Sequence, residues 1–213
     1  MTDDAIELPQ TAAQAHADLA FLRSVVGEYM PFARNFGLIY MTSGIVYGIQ
    51  CLFGWLFIKI GPGVPMMAHL TNSILPTVIF IGVIIFGTIR NRKEGKLVGP
   101  VARGIEATFQ GTGLANGVMI VIFGVAALRA SDLAIWLFYP VMVCVLQGAV
   151  WYGAAVLRRR WWMGFVAGGW FIAALGAGLS INNIENYIAI LGIALVGLMA
   201  WPGFVVMRIN QQG

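Results

Sequence analysis

Groups that could carry out chemistry are few and far apart in this sequence. It offers two histidines, His16 and His69, two cysteines, Cys51 and Cys144, and nine carboxylates. They form no nucleophile–base pair, no HExxH zinc signature, no paired-cysteine metal motif and no glycine-rich phosphate loop. His69 has Met66 and Met67 beside it, and Met with His can hold soft or borderline metals. Three residues within four positions cannot all face one site from a helix, so no metal site is expected. Cys51 and Cys144 each lie in an apolar run and read as small core residues. The expectation is a non-enzymatic protein without a cofactor.

What remains are uncharged polar side chains in apolar surroundings: Gln50, Asn72, Asn116 and Gln147, with Thr71, Ser73 and Thr77 beside Asn72. Gln50, Asn72 and Gln147 come from three different apolar stretches at middle to outer depth, so they could converge. Each could equally do no more than hydrogen-bond a neighbouring helix, worth about 0.6 kcal/mol on average in a membrane. Proton and ion pathways need ionisable groups inside the membrane, where they are costly. None accompanies this set, which disfavours a proton-coupled pump or an electrogenic transporter built on carboxylates. A pore for neutral solutes, or one lined by carbonyls, stays open.

The elements that must position these residues follow from composition. Of 213 residues 59% are hydrophobic and 10% charged, against about 25% charged in a soluble domain. A chain this short cannot make a polar surface from so little, so lipid is expected to cover much of its outside. A hydrocarbon core of about 30 Å needs about 20 apolar residues as helix. Six stretches qualify: Gly37 to Phe57, Met66 to Ile89, Thr112 to Leu128, Leu133 to Leu157, Trp162 to Leu179 and Tyr187 to Met207. The fold class is an all-α integral membrane protein of six transmembrane helices arranged as three hairpins. An amphipathic cytoplasmic helix precedes them. Residues 1–35 form an N-terminal cytoplasmic segment, 36–208 the transmembrane domain and 209–213 a short cytoplasmic tail.

Charge gives the direction. With the N-terminus inside, eleven basic residues are cytoplasmic and two, Lys59 and Arg129, lie outside. That asymmetry follows the positive-inside rule and would collapse if one span were missed or invented. The first residues, Met1 to Glu7, are acidic and no apolar run follows until after Phe36, so the first span is expected to serve as an uncleaved insertion signal. A bacterial cytoplasmic (inner) membrane is the expected location, with both termini cytoplasmic. The net charge of +4 is scattered between apolar runs rather than gathered on one face, so no nucleic-acid partner is expected. Trp55 and Trp136 fall near the outer interface and Trp151, Trp161, Trp162 and Trp201 near the inner one. Trp170 is mid-span beside Gly168 and Gly169 and is expected to pack into the bundle.

Glycine spacing differs between odd and even spans. Gly44 with Gly48, Gly113 with Gly117 and Gly164 with Gly168 are GxxxG pairs, whereas Gly82 with Gly87, Gly148 with Gly153 and Gly192 with Gly197 are five apart. The pattern suggests three hairpins derived from one unit, although 27 glycines in an apolar chain can also produce it by chance. The GxxxG pairs are expected to let helices approach closely. Gly113 to Val150 and Gly164 to Gly203 resemble in texture the short Gly-rich hairpins of a family of small bacterial acid-stress-associated membrane proteins, a likeness from which no function is carried. Pro76 and Pro140 are expected to kink the second and fourth helices, and Pro202 to end the sixth.

Outside the spans, Thr11-Ala-Ala-Gln14 reads as a capping box, and Ala15, Leu19, Leu22, Val26 and Tyr29 follow at steps of four and three. This amphipathic helix, ended by Pro31, lacks a basic face for anionic lipid. Leu19, Leu22 and Val26 are its candidate docking face, either onto its own bundle or onto a protein partner or second copy. Val101, Ile105 and Phe109 suggest an interfacial helix, separated from the third span by a break at Gly111-Thr112-Gly113. Arg158, Arg159 and Arg160 read as a topology signal, with lipid headgroups as a further use.

Two functions fit these features. The first is a non-enzymatic sensor, regulatory or assembly module in the lipid bilayer, using the N-terminal helix for contact. The alternative is a small channel or facilitator for a neutral solute.

Overall fold

The computed structural model describes the backbone of residues 14, 16, 19, 29–94 and 100–209, with side chains at 14, 16, 19, 35–89 and 104–208. Among these residues there is no strand. The chain runs as α1 (Tyr29–Ile60), a 3-10 turn (Gly61–Gly63), α2 (Met66–Glu94), α3 (Pro100–Ala130), α4 (Leu133–Arg158), α5 (Trp161–Leu179), α6 (Ile184–Leu195), a π-turn (Val196–Ala200) and α7 (Trp201–Ile209). Six helices are long and apolar enough to cross a membrane, the sixth being Ile184–Arg208, which joins α6, the π-turn and α7. Helix is the form that lets an apolar segment satisfy every backbone group internally where no water is present.

Three boundaries differ from the sequence expectation. The break at Gly111–Gly113 does not occur: α3 is continuous, and Ile105 and Phe109 turn inward. Ile105 is buried, and the Phe109 ring sits 4.4 Å from Phe36 on α1. A glycine costs a helix about 1 kcal/mol relative to alanine, less than the several kcal/mol of leaving backbone groups unpaired in hydrocarbon. Pro31 lies in the first turn of α1, where its missing N–H has no intrahelical partner to lose.

Pro202 does not end the sixth span. The helix widens into the π-turn, in which the Trp201 N–H reaches back to the Val196 carbonyl, and then continues as α7 with Pro202 buried in its first turn. The wider turn takes up the hydrogen bond that proline cannot make.

The helices pack in the spatial order α2, α1, sixth span, α5, α4, α3. α2 rests mainly on α1, and α3 mainly on α4. The most extensive contact between successive helices joins α4 to α5, bridging the second and third expected hairpins, and the sixth span returns against α1. Helix α5 turns Ala167, Ala173, Ala174 and Ala177 into the core, small side chains that let α4 and the sixth span close on it. Trp170 is buried among them.

The closest backbone-to-backbone approach at glycine lies between α1 and the sixth span. A Cβ at Gly44 would lie 2.4 Å from the Ala200 nitrogen, one at Gly203 2.4 Å from the Met41 nitrogen, and one at Gly48 2.6 Å from Val196 Cγ2. The two backbones touch here, at the π-turn. By contrast, a Cβ at Gly113, Gly117, Gly164 or Gly168 would meet nothing within 4 Å. A side chain at these four positions would thus enter open space, unlike one at Gly44 or Gly48. The GxxxG pairs occupy unlike environments despite like spacing.

Candidate functional site

Tyr40 on α1 stands where α1, α4 and α5 meet. Its hydroxyl donates to Gln147 Oε1 at 3.0 Å and accepts from Trp151 Nε1 at 2.7 Å. Gln147 and Trp151 are one helical turn apart on α4, so a single phenol takes two contacts from one face. Trp170 Nε1, from α5, approaches the same hydroxyl without reaching hydrogen-bond geometry, and it is buried with no other partner. Aromatic faces close the site: Tyr40 lies 5.4 Å from Phe36 and 5.5 Å from Trp151 between ring centroids. Below it Trp151 packs against Phe109 and Trp162.

The other polar residues singled out in the sequence are paired separately. Asn72 Nδ2 donates to the Gln50 carbonyl at 3.1 Å, tying α2 to α1 through backbone rather than through the Gln50 side chain. Tyr139 on α4 donates to Asn116 Oδ1 on α3 at 3.0 Å and stacks on Trp136. The hydrogen bonds among the described residues thus place Gln50 with Asn72, Asn116 with Tyr139 and Gln147 with Tyr40, in three locations rather than one. Tyr187 on α6 adds a fourth tie, donating to the Leu137 carbonyl at 2.7 Å.

At the opposite end from the α4–α5 turn, Lys59 forms an ion pair with Glu185 and lies 5.3 Å over the Trp55 ring. Glu185 is in the first turn of α6, where a negative charge meets the positive end of the helix dipole. His69 lies edge-on to Phe57, while Met66 and Met67 are exposed. No group of three metal-ligating side chains occurs among the described residues. Cys144 is buried and Cys51 half-buried, both as free thiols. Of the candidate docking face, Leu19 is helical and exposed, whereas Leu22 and Val26 lie outside the described residues.

Comparison with known proteins identifies no relative: no family model, no curated protein and no solved structure matches the chain. The site must be read on its own chemistry. A phenol, an amide and two indoles supply donors and acceptors but no group that ionises near neutral pH, since free tyrosine titrates near about 10. What such a set does is fix helices in rotation and depth. Reading the sequence for amides found Gln147 but missed its partners, because tyrosine and tryptophan in an apolar run signal interface or core before they signal a hydrogen bond. The i, i+4 spacing of Gln147 and Trp151 was the available clue.

Proposed function

We propose that the chain is a multi-pass membrane protein that works as a non-enzymatic assembly or regulatory module, with its N-terminal helix as a contact element. The observation that carries this reading is the central junction, where Tyr40, bonded to Gln147 and Trp151 and flanked by the buried Trp170, fills the space between α1, α4 and α5. A bundle locked at its centre suits a platform better than a conduit. The outer helices α2 and α3 support the same view, since each leans mainly on one neighbour and offers the rest of its surface outward. Leu19, exposed on the N-terminal segment, offers an apolar contact there. We place the protein in a bacterial inner membrane with both termini cytoplasmic, on the distribution of Lys and Arg along the sequence.

The test pairs two measurements on the full chain. In-membrane crosslinking between differently tagged copies and with neighbouring proteins, with and without residues 1–31, should show contacts that depend on the N-terminal segment. Liposomes loaded with neutral solutes should show no flux above that of empty liposomes. Flux through the purified protein would overturn the reading in favour of the channel.

A further inference from the structure

We infer that residues 1–28 dock by charge on the end of their own bundle that holds the α4–α5 turn, with Arg159 and Arg160 as the receiving cations. The charges of this chain are divided. Five of its nine carboxylates, Asp3, Asp4, Glu7, Asp18 and Glu28, fall in residues 1–28, where Arg23 is the one base, so the segment carries a net charge of −4. Of the remaining four, Asp132 caps α4 and Glu185 pairs with Lys59, both at the opposite end, while Glu106 is engaged by Gln110. Glu94 ends α2 beside Arg90, Arg92 and Lys93. The basic end is thus short of anions from the bundle itself.

Topology does not call for this division, because Lys and Arg orient the spans whereas Asp and Glu contribute little. The acidic segment needs another reason. Arg159 and Arg160 make up the turn between α4 and α5, both are exposed, and among the described residues neither makes an ion pair. Arg208 closes the sixth span at the same end and is exposed too, with its guanidinium 4.6 Å over the Phe204 ring. Arg158 is already engaged and is left out of the site.

Place and reach agree with this docking. Phe36 on α1 and Arg158 on α4 line one cleft, so α1 begins at this end, and Tyr29 lies about 10 Å beyond Phe36 at the helical rise. Residue 28 therefore joins the bundle at the end that holds the arginines. Even at the helical rise 28 residues measure about 42 Å, ample for an end whose neighbouring axes lie about 8–10 Å apart. Leu19 is exposed, which leaves charge rather than apolar burial to hold the segment. A tethered segment meets its site at about millimolar effective concentration, so weak ion pairs suffice. The clamp belongs to a single chain and does not rest on the assembly reading. Where both hold, it keeps the contact element against its own bundle until salt or a basic partner frees it.

The test measures distance in the full chain with Cys51 and Cys144 replaced by alanine, carrying nitroxide labels at Gln10→Cys and Trp161→Cys in phosphatidylcholine nanodiscs. The Debye length falls from about 10 Å at 0.1 M salt to about 3 Å at 1 M, so a short-distance population at the lower salt should drop about threefold or more at the higher. The variant D3N/D4N/E7Q/D18N removes the net charge of the segment without touching a span and should cause the same loss at low salt. R159Q/R160Q changes two exposed residues of the turn and should do so as well. The unfolding midpoint should stay near that of the parent in both, since neither set lies in the core. A distance distribution indifferent to salt, or to either variant, would overturn the clamp. So would the short distance appearing between singly labelled copies mixed in one disc, which would make the contact one between two chains. Its loss in discs containing phosphatidylglycerol would give the arginines to lipid headgroups and overturn it too.

Discussion

Trp151 Nε1 donates to the Tyr40 hydroxyl at 2.7 Å, a bond between residues 111 positions apart that closes α4 onto α1 inside the core. Replacing Tyr40 with Phe keeps the ring and removes both the acceptor for Trp151 and the donor to Gln147. A buried indole N–H is then left without a partner, which costs about 1–3 kcal/mol. Tyr40→Phe should therefore lower the unfolding midpoint in detergent. In a double-mutant cycle with Trp151→Phe the second change should cost less than it does alone, because the contact it removes is already gone. Additive effects would show that the two side chains do not interact.

The close approach of α1 to the sixth span makes glycine substitutions unequal. Gly44→Ala and Gly203→Ala place a methyl group against backbone atoms at 2.4 Å, which the neighbours cannot relieve by changing a rotamer. Overpacking of this kind costs about 1–3 kcal/mol. Gly117→Ala and Gly168→Ala should leave the unfolding midpoint unchanged or slightly raised, since alanine favours helix and meets no neighbour. A loss of stability at Gly117 or Gly168 in the monomeric protein would contradict the packing described.

That contrast marks how far the sequence was legible. Six apolar stretches without a charge announce six helices because the bilayer thickness sets their length, and the structure returns that number. Which side of a helix meets which neighbour is a tertiary decision, and identical GxxxG spacings carry no trace of it. Gly44 touches backbone and Gly117 touches nothing, yet each has a glycine four residues away. The π-turn was hidden for a related reason. Pro202 signals a helix end in water, but inside a bundle the chain can widen by one residue and go on. Gln147 was visible as a polar residue in a span, while Tyr40 and Trp151 were masked by their hydrophobic rings.

Asn72 and Asn116 should behave as single fastenings. Asn72→Leu removes the bond to the Gln50 carbonyl and Asn116→Leu the bond from Tyr139. Each should lower stability by about 0.6 kcal/mol, the average for interhelical hydrogen bonds in membranes. The two losses should add in the double variant, because the pairs lie on different helices and share no partner. Denaturation of the three variants in mixed micelles measures this, and a cooperative loss would place the two pairs in one network.

Orientation is open to direct labelling. Under the proposed topology Pro62→Cys and Asn182→Cys, on the end of the bundle that holds the Lys59–Glu185 pair, should react with an impermeant maleimide in intact cells. Arg160→Cys should react only after permeabilisation. The two native thiols at Cys51 and Cys144 lie within the helices and are replaced by alanine to give a clean background. Labelling of position 160 in intact cells would reverse the arrangement and the reading of the basic residues with it.

The N-terminal segment separates the module from the channel. Leu19 is helical and exposed, and the sequence puts Leu22 and Val26 on the same face by spacing. Changing Leu19, Leu22 and Val26 together to Ser removes up to about 1.5–3 kcal/mol of apolar drive for each side chain that a contact fully buries. The six spans are untouched, so insertion, topology and the Tyr40–Trp151 lock should survive. Crosslinks between copies or to neighbouring proteins should be lost if this face is the contact element, and crosslinking yield in membranes measures that directly. A channel would keep its flux through the same change. Unchanged crosslinks together with solute flux through the parent protein would remove the N-terminal face from the mechanism and leave the membrane bundle as the working part.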